Sequence, residues 1–396
     1  MFRIGVVTPR YSRDIVGGSE AVMAEAARAL VRRGHAVDLF TTCALSHVSW
    51  ENVLAPGEFV DEGVRVQRFR AVTGNARFLA ASLERRVQRG EQLSAQDELT
   101  WLNGRLRVPG LYYALLARAE SYDAVLLSPY LFWTTIYGAA ATPGRAILVP
   151  CLHDEAYARL AIVRTALESA AGTWYLSEPE HELARRVAPG LRAHQRVVGA
   201  AVEVPSGYDP EGFRIRHGLA RPFVFYAGRR EEGKGWDGLL ADFAGLVAGG
   251  GPDVDLVSVG SGTVTIPPAL AGRVHDLGFL PTAELPSAYA AALCLVQPSV
   301  NESFSRSVME AFLARTPVLA TSQGAVVAWH LARSGAGRTY AGRDELAASI
   351  GALLSDRHER DRLGEAGRRY VLDNYTWDHV ADAMESALSA FARQGR

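Results

Sequence analysis

The stretch FVFYAGRREEGKGW (residues 223–236) passes from an apolar run through a basic, glycine-containing loop into a helical pattern. Read as strand, loop and helix, it is one half of a βαβ unit, and the same succession recurs on both sides of it. Downstream, residues 254–259, 274–277, 293–297 and 318–321 read as strands, each followed by a loop and a helical pattern. Upstream, residues 4–8, 37–41, 64–69, 124–128, 146–150 and 173–176 form a first series. Between the first two of these lies GGSEAVMAEAARALVRRG (residues 17–34), where Val22, Ala26, Ala29 and Leu30 recur at helical spacing and Gly34 follows as a cap. Strands this continuously apolar are covered on both faces, which is the mark of parallel sheets flanked by helices. The two series meet at GAAVEVPSGYDPEGF (residues 199–213). The expected fold class is therefore α/β: two Rossmann-like, doubly wound domains facing each other across a cleft, the first over residues 1–199. In such sheets ligands bind beyond the carboxyl ends of the strands.

The composition sets limits on function. The chain has 396 residues, 48% of them hydrophobic, enough for two cores, with 42 Lys+Arg against 43 Asp+Glu. A net charge of −1 argues against a dedicated nucleic-acid binder but leaves room for a local phosphate site. Cys43, Cys151 and Cys294 lie far apart in sequence, so neither a disulfide framework nor a metal centre is indicated. The first residues lack the pattern of a signal peptide, and no run of about 18 apolar residues offers a spanning helix, so the expected location is cytoplasmic. Of the 42 cations only Lys234 is a lysine, leaving 41 arginines. A lone lysine is either an accident of coding or a place where a guanidinium does not serve.

One segment breaks the rhythm. Residues 65–107 hold nine arginines and four acids on a chain that reads as helical. A solvated helical insertion is the plain reading, and a surface for an anionic acceptor or a peripheral membrane contact is the functional one. The final stretch, with Val380, Met384, Ala387, Leu388 and Phe391 in helical register, is an amphipathic helix.

Several loops at strand ends carry residues suited to anion and sugar chemistry. Arg229 and Lys234 sit in one glycine-containing loop directly after a strand and are spaced to converge on an anion. An exposed basic turn is the alternative. In NESFSRSVMEAF (residues 301–312) a helix expected to begin near Ser303 or Ser305 would present free N–H groups to an anion. On that helix Glu302 and Glu310, eight positions apart, would stand about 12 Å from each other, at 1.5 Å per residue. Two surface glutamates at ordinary spacing are the alternative. VPCLHDEAY places His153, Asp154 and Glu155 after a strand, as hydrogen-bonding groups or as a simple helix start. Gly17, Gly18 and Ser19 let backbone approach a ligand, or form a tight turn with Ser19 as N-cap. Gly260, in VGSGT, is weak on its own because the full dinucleotide fingerprint is missing.

Taken in order, an early GG loop, GRxxxxKG after a strand (residues 228–235), VGxG, GFLP and E-x7-E resemble the retaining family-four glycosyltransferases of the GT-B fold. The resemblance covers nearly the whole chain in motif order and is stronger in its second half. It implies a nucleoside-diphosphate sugar, UDP- or GDP-linked, bound mainly by a second domain over residues 200–376, with the acceptor held by the first. Residues 377–396 would pack on the first domain. Arg229 and Lys234 would bind the diphosphate, and Glu302 the donor-sugar hydroxyls with help from Ser303 and the amides near Phe304 and Ser305. Glu310 would hold the ribose, His153 would lie under the sugar, and Gly18, Gly260 and Leu280 would complete the donor site. The resemblance implies no metal and no cofactor beyond the donor, and a small-molecule, glycan or lipid-linked acceptor. The implied activity is that of a retaining hexosyltransferase. Ser305 stands where the family often has Gly, Arg306 adds a charge beside it, and TSQGAVVAW lacks an acid that many relatives carry. A nucleotide-sugar epimerase or hydrolase of the same fold, or an inactive partner protein, are the competing readings.

Overall fold

The computed structural model describes residues 1–12, 15, 18–73 and 77–394. The chain divides into two units, Met1–Ala200 with Val380–Arg396, and Ala201–His379. Among the described residues the first unit holds eight strands: β1 (Arg3–Val7), β2 (Ala36–Thr42), β3 (Gly57–Asp61), β4 (Val64–Phe69), β5 (Ala124–Leu127), β6 (Ala146–Leu148), β7 (Gly172–Tyr175) and β8 (Gln195–Val197). They form one sheet in the order β3-β4-β2-β1-β5-β6-β7-β8. All neighbours pair in parallel except β3, which lies antiparallel on β4. Since β1 is flanked by β2 and β5, the chain winds outward in both directions from the β1/β5 pair.

The second unit repeats the plan with β9 (Phe223–Ala227), β10 (Asp255–Val259), β11 (Val274–Asp276), β12 (Cys294–Gln297), β13 (Val318–Thr321) and β14 (Gly337–Tyr340). The order is β11-β10-β9-β12-β13-β14, parallel throughout. Here the winding reverses between β9 and β12. The strand interiors are buried on both faces, with Phe223, Phe225, Leu256 and Val257 fully enclosed. Burying each such side chain contributes roughly 1.5–3 kcal/mol relative to leaving it in water.

β3, β8 and β14 are absent from the sequence reading for one physical reason. Each ends a sheet, so most of its side chains are exposed or only partly buried and its sequence (GEFVD, QRV, GRTY) lacks an apolar run. Residues 65–107 supply β4 and two paired helices, Arg77–Gln88 and Ala95–Arg105, which bury Leu83, Val87, Trp101 and Leu102 in the core of the first unit. Part of the positive charge is answered locally: Arg89 lies 2.6 Å from Glu91, and Arg86 3.0 Å from the same carboxylate. The C-terminal helix Trp377–Gln394 buries Val380, Met384, Leu388 and Phe391. His35 fastens it to the first unit. Its Nδ1 accepts the Phe2 N–H at 3.0 Å, so the other ring nitrogen carries the proton and donates to Glu385 at 2.8 Å. Among the described residues no helix is long and apolar enough to cross a membrane.

Behind the 303–305 segment of the second unit lies an aromatic group around His330. Phe304 meets the His330 ring edge-on at 5.4 Å and Tyr375 at 5.0 Å. His330 Nδ1 is 2.9 Å from the Tyr370 hydroxyl, which is 3.1 Å from that of Tyr375. Burial drives the His330 pKa down to about 3, so the ring is neutral in the folded chain. A histidine in the unfolded chain titrates near 6.5 and takes up a proton that the native ring refuses. His330 therefore contributes stability that is present above about pH 6.5 and lost as pH falls toward 3. In urea titrations of His330→Gln, the dependence of stability on pH between about 6.5 and 4 should be shallower by up to 1.4 kcal/mol per pH unit. An unchanged slope would show that the ring is not held neutral.

Candidate functional site

In the second unit the loops leaving β9 and β12 emerge side by side, because these strands pair directly (Cys294↔Val224, Leu295↔Phe225). The β9 loop tightens through a 3-10 turn, Glu232–Lys234, into the helix Trp236–Ala248. Gly235, at φ +71, is its N-cap and offers no side chain, so the first helical N–H groups stay available at the carboxyl edge of the sheet. A Cβ on Gly235 would stand 2.7 Å from the carbonyl oxygen of Pro298, so only glycine lets the two loops approach this closely. Across that contact Lys234 Nζ donates to Glu302 Oε1 at 2.8 Å, with the Asn301 carbonyl 3.4 Å away. The pair is largely shielded, its side chains 21% and 14% exposed. Lys234 and Glu302, predicted from separate motifs, are thus brought together.

Arg229 is not drawn into this pair; its guanidinium lies 3.1 Å from Glu231 and is half exposed. Its neighbour Arg230, which the sequence did not single out, turns inward. Arg230 donates to the Gly260 carbonyl and pairs with Asp276, while Asp276 also accepts from Ser258 Oγ at 3.0 Å. This guanidinium ties the loops after β9, β10 and β11 into one scaffold. Gly260, at φ +130, is required there, since a Cβ would come within 2.1 Å of the Gly228 carbonyl oxygen. Leu280, in the GFLP motif, is buried, while its neighbour Phe279 is exposed.

The helix in the E-x7-E motif begins at the later of the two expected places. It spans Arg306–Leu313, and Ser305, its N-cap, has φ +69. A residue in the left-handed region cannot continue an α-helix toward its N-terminus, so Glu302 and Ser303 lie on the loop and the 12 Å helical separation does not apply. Ser305 is held in this conformation by its buried hydroxyl, which accepts from Gln297 Nε2 at 3.0 Å. The left-handed angle also accounts for the glycine common here in the family that the sequence resembles. The Phe304 side chain is buried away from any ligand, leaving only its backbone to serve one. Glu310 accepts a hydrogen bond from the hydroxyl of buried Tyr289 at 2.9 Å, and Arg306 Nε lies 4.0 Å from its other oxygen. Burial, aided by Glu310, pushes the Tyr289 hydroxyl well above its usual range, so it remains a donor.

In the first unit Gly18 opens the helix Gly18–Arg32 with φ +73, and Ser19 lies inside that helix; Gly17 is outside the described residues. His153 follows β6, half buried, with Nδ1 3.8 Å from Glu155 Oε1. That same oxygen accepts from the buried Tyr130 hydroxyl at 2.5 Å. Behind the loop lies Glu180. Its Oε1 takes the Leu152 N–H at 2.7 Å and its Oε2 the Leu176 N–H at 2.6 Å. Burial raises its pKa to about 8, against the pull of backbone amides at Leu176, Leu152, Ser177 and Cys151. The spacing Ser177-x-x-Glu180 is a capping-box signal in the sequence and could have found this residue. Among the described residues no group of three His, Cys, Asp or Glu side chains is placed to hold a metal ion.

Residues 211–370 match the family model "Glycosyl transferases group 1". The chain is 31% identical over 248 residues to the 2-deoxystreptamine glucosyltransferase of Streptomyces kanamyceticus, a match spanning 56% of this chain and 61% of that protein. It is 29% identical to the D-inositol 3-phosphate glycosyltransferase of Xylanimonas cellulosilytica, across 93% of this chain and 90% of that one. Among solved structures, sucrose-phosphate synthase from Thermosynechococcus elongatus superposes over 100% of both chains with a TM-score of 0.76 at 19% identity. The Anabaena protein HepE in complex with UDP-glucose does so with a TM-score of 0.68 at 16% identity, covering 98% of this chain and 100% of that one. At these identities the structural likeness shows the fold, which is GT-B.

The close approach at Gly260 gives a direct test of the second unit's architecture. Gly260→Ala should cost that unit at least about 2 kcal/mol, from the disallowed angle together with the clash on Gly228. Thermal unfolding of the variant checks this, and an unshifted midpoint would mean that the two loops part freely.

Proposed function

Since residues 211–370 match the family model of the group 1 glycosyl transferases, we propose that the chain transfers a hexosyl group from a UDP- or GDP-sugar to an acceptor hydroxyl with retention of configuration. The observation that carries the reading is the shielded Lys234–Glu302 pair at the point where the second sheet reverses its winding. Lysine has three N–H donors. It can keep Glu302 and still give a hydrogen bond to a diphosphate lying over the first turn of the helix Trp236–Ala248. Glu302, oriented by Lys234, is assigned to accept from sugar hydroxyls. Arg229 joins by exchange: an exposed pair such as Arg229–Glu231 is worth ~0–1 kcal/mol, so a diphosphate displaces the carboxylate easily. Glu310, oriented by Tyr289, is assigned to the ribose hydroxyls, and Gly260 and Leu280 to the walls of the nucleotide site.

In the transfer step the acceptor oxygen forms a bond to the anomeric carbon on the face from which the diphosphate departs, and the bond from that carbon to the diphosphate oxygen breaks. The acceptor proton passes to the departing diphosphate oxygen, so the step needs no metal and no further cofactor. Arg229, Lys234 and the helix N-terminus stabilise the charge that develops on the leaving group. His153 is assigned to the transfer step, and Gly18 to the approach of backbone to the donor phosphate or the acceptor. The acceptor hydroxyl belongs to a small molecule, a glycan or a lipid-linked sugar. The relatives' names fit acceptors rich in hydroxyls: one acts on 2-deoxystreptamine, another on D-inositol 3-phosphate.

Calorimetry with UDP and GDP should show selective binding of one of them. Release of nucleotide from UDP-glucose or GDP-mannose should fall by about 100-fold or more in Lys234→Ala, with the unfolding midpoint little changed. Near-normal turnover in that variant would sink the assignment. Lys234→Arg keeps the charge and changes its shape, and a loss of turnover approaching that of the alanine variant is expected.

A further inference from the structure

Two residues before His153, Cys151 adopts φ +51, a left-handed conformation that a non-glycine residue enters at a cost of roughly 1–2 kcal/mol. Such an angle persists only where the surroundings over-determine it. Here the surroundings are a carboxylate. Glu180 is 1% exposed, and instead of merely closing the first turn of its own helix it joins two loops, taking the Leu152 N–H with one oxygen and the Leu176 N–H with the other. Leu152 is the residue between strained Cys151 and His153. The Ser128 hydroxyl, at the end of the neighbouring strand, meets Cys151 Sγ at 3.6 Å. A buried carboxyl group spent on loop backbone is costly unless the loop geometry it fixes is needed.

We propose that Glu180 is a positioning residue for His153: by holding the amides of residues 151–152 it keeps the left-handed turn at Cys151 and so sets where the imidazole stands. This rests on the role given to His153 above. Without the carboxylate the turn relaxes to negative φ and carries His153 out of place, while the nucleotide-binding residues of the second unit are untouched. A glycine at residue 151 holds the same angle without strain. It should therefore make the carboxylate dispensable, which a merely stabilising role for Glu180 does not predict.

The test uses the full chain and three variants, with UDP or GDP affinity by calorimetry and turnover of UDP-glucose or GDP-mannose, whichever the wild type uses. Glu180→Gln should lose 10-fold or more in kcat while nucleotide affinity stays within about twofold. Cys151→Gly in that background should recover most of the lost kcat. If Glu180→Gln does not fold, Cys151→Val, which keeps the carboxylate but disfavours positive φ, should show the same split between kcat and nucleotide affinity. Unchanged kcat in Glu180→Gln, no rescue by glycine, or an unchanged kcat in Cys151→Val overturns the inference. A wild type that binds neither nucleotide and turns over neither sugar overturns the transferase reading itself, and this inference with it; a wild type that does both while the variants match it overturns only the role of Glu180.

Discussion

Parallel pairing of β9 with β10 on one side and β12 on the other is the constraint from which the second unit's chemistry follows. Parallel strands deliver all their carboxyl ends to one edge, and at a reversal of winding the loops from adjacent strands depart in opposite directions, leaving a gap between them. Backbone N–H groups at the start of the following helices face that gap, so it favours anions before any side chain is considered. Lys234 and Glu302 reach across it from the β9 and β12 loops. Arg230 and Asp276 brace the neighbouring β9, β10 and β11 loops beneath. Adjacent arginines thus divide: Arg229 stays at the surface beside Glu231, and Arg230 turns inward as a brace.

The same economy governs strain. Ser305 and Cys151 are both non-glycine residues in the left-handed region, each in a segment that carries proposed site residues, and each is held by a buried polar side chain from a neighbouring element, Gln297 and Glu180 respectively. Glycine would adopt these angles without strain and so without a dedicated partner. A strained residue with a dedicated hydrogen-bonding neighbour trades some stability for a single conformation of the backbone that follows. In the second unit that backbone is the first turn of the helix Arg306–Leu313; in the first it leads to His153.

How much of this could be read from the sequence depends on which force decides each feature. The apolar parallel strands are set by burial, which leaves a periodic trace, and they were legible to within a residue or two, with helical patterns between them. The edge strands β3, β8 and β14 are set by pairing with a neighbour and leave none. Loop motifs located Lys234, Glu302 and Gly260 at strand ends, because a cation or a glycine at such a place has few other uses. Side-chain direction was not legible: the motif pointed to Arg229 without showing that Arg230 beside it turns inward, and the left-handed Ser305 at the start of the helix leaves no periodic trace. Glu180 lies between the two cases. Its spacing from Ser177 announces a helix cap, while its reach to Leu152 is a tertiary fact.

The single lysine among 41 arginines can now be given a physical reason. On the proposed function, Lys234 holds Glu302 and also gives a hydrogen bond to the ligand, in a space narrowed by the Gly235–Pro298 contact. A guanidinium in that position would engage the carboxylate through its planar fork, committing two donors to one partner and demanding more room. An ammonium is a compact charge whose three donors point in different directions, so it bridges a carboxylate on one side and an oxyanion on the other without choosing between them. In a chain that uses arginine for every other cation, including the buried brace at Arg230, the exception falls where a bidentate grip would be the wrong geometry. The near-zero net charge fits the same picture, since a ligand with two phosphates needs a few well-placed donors and a favourable helix end, and a basic surface would add affinity without selectivity.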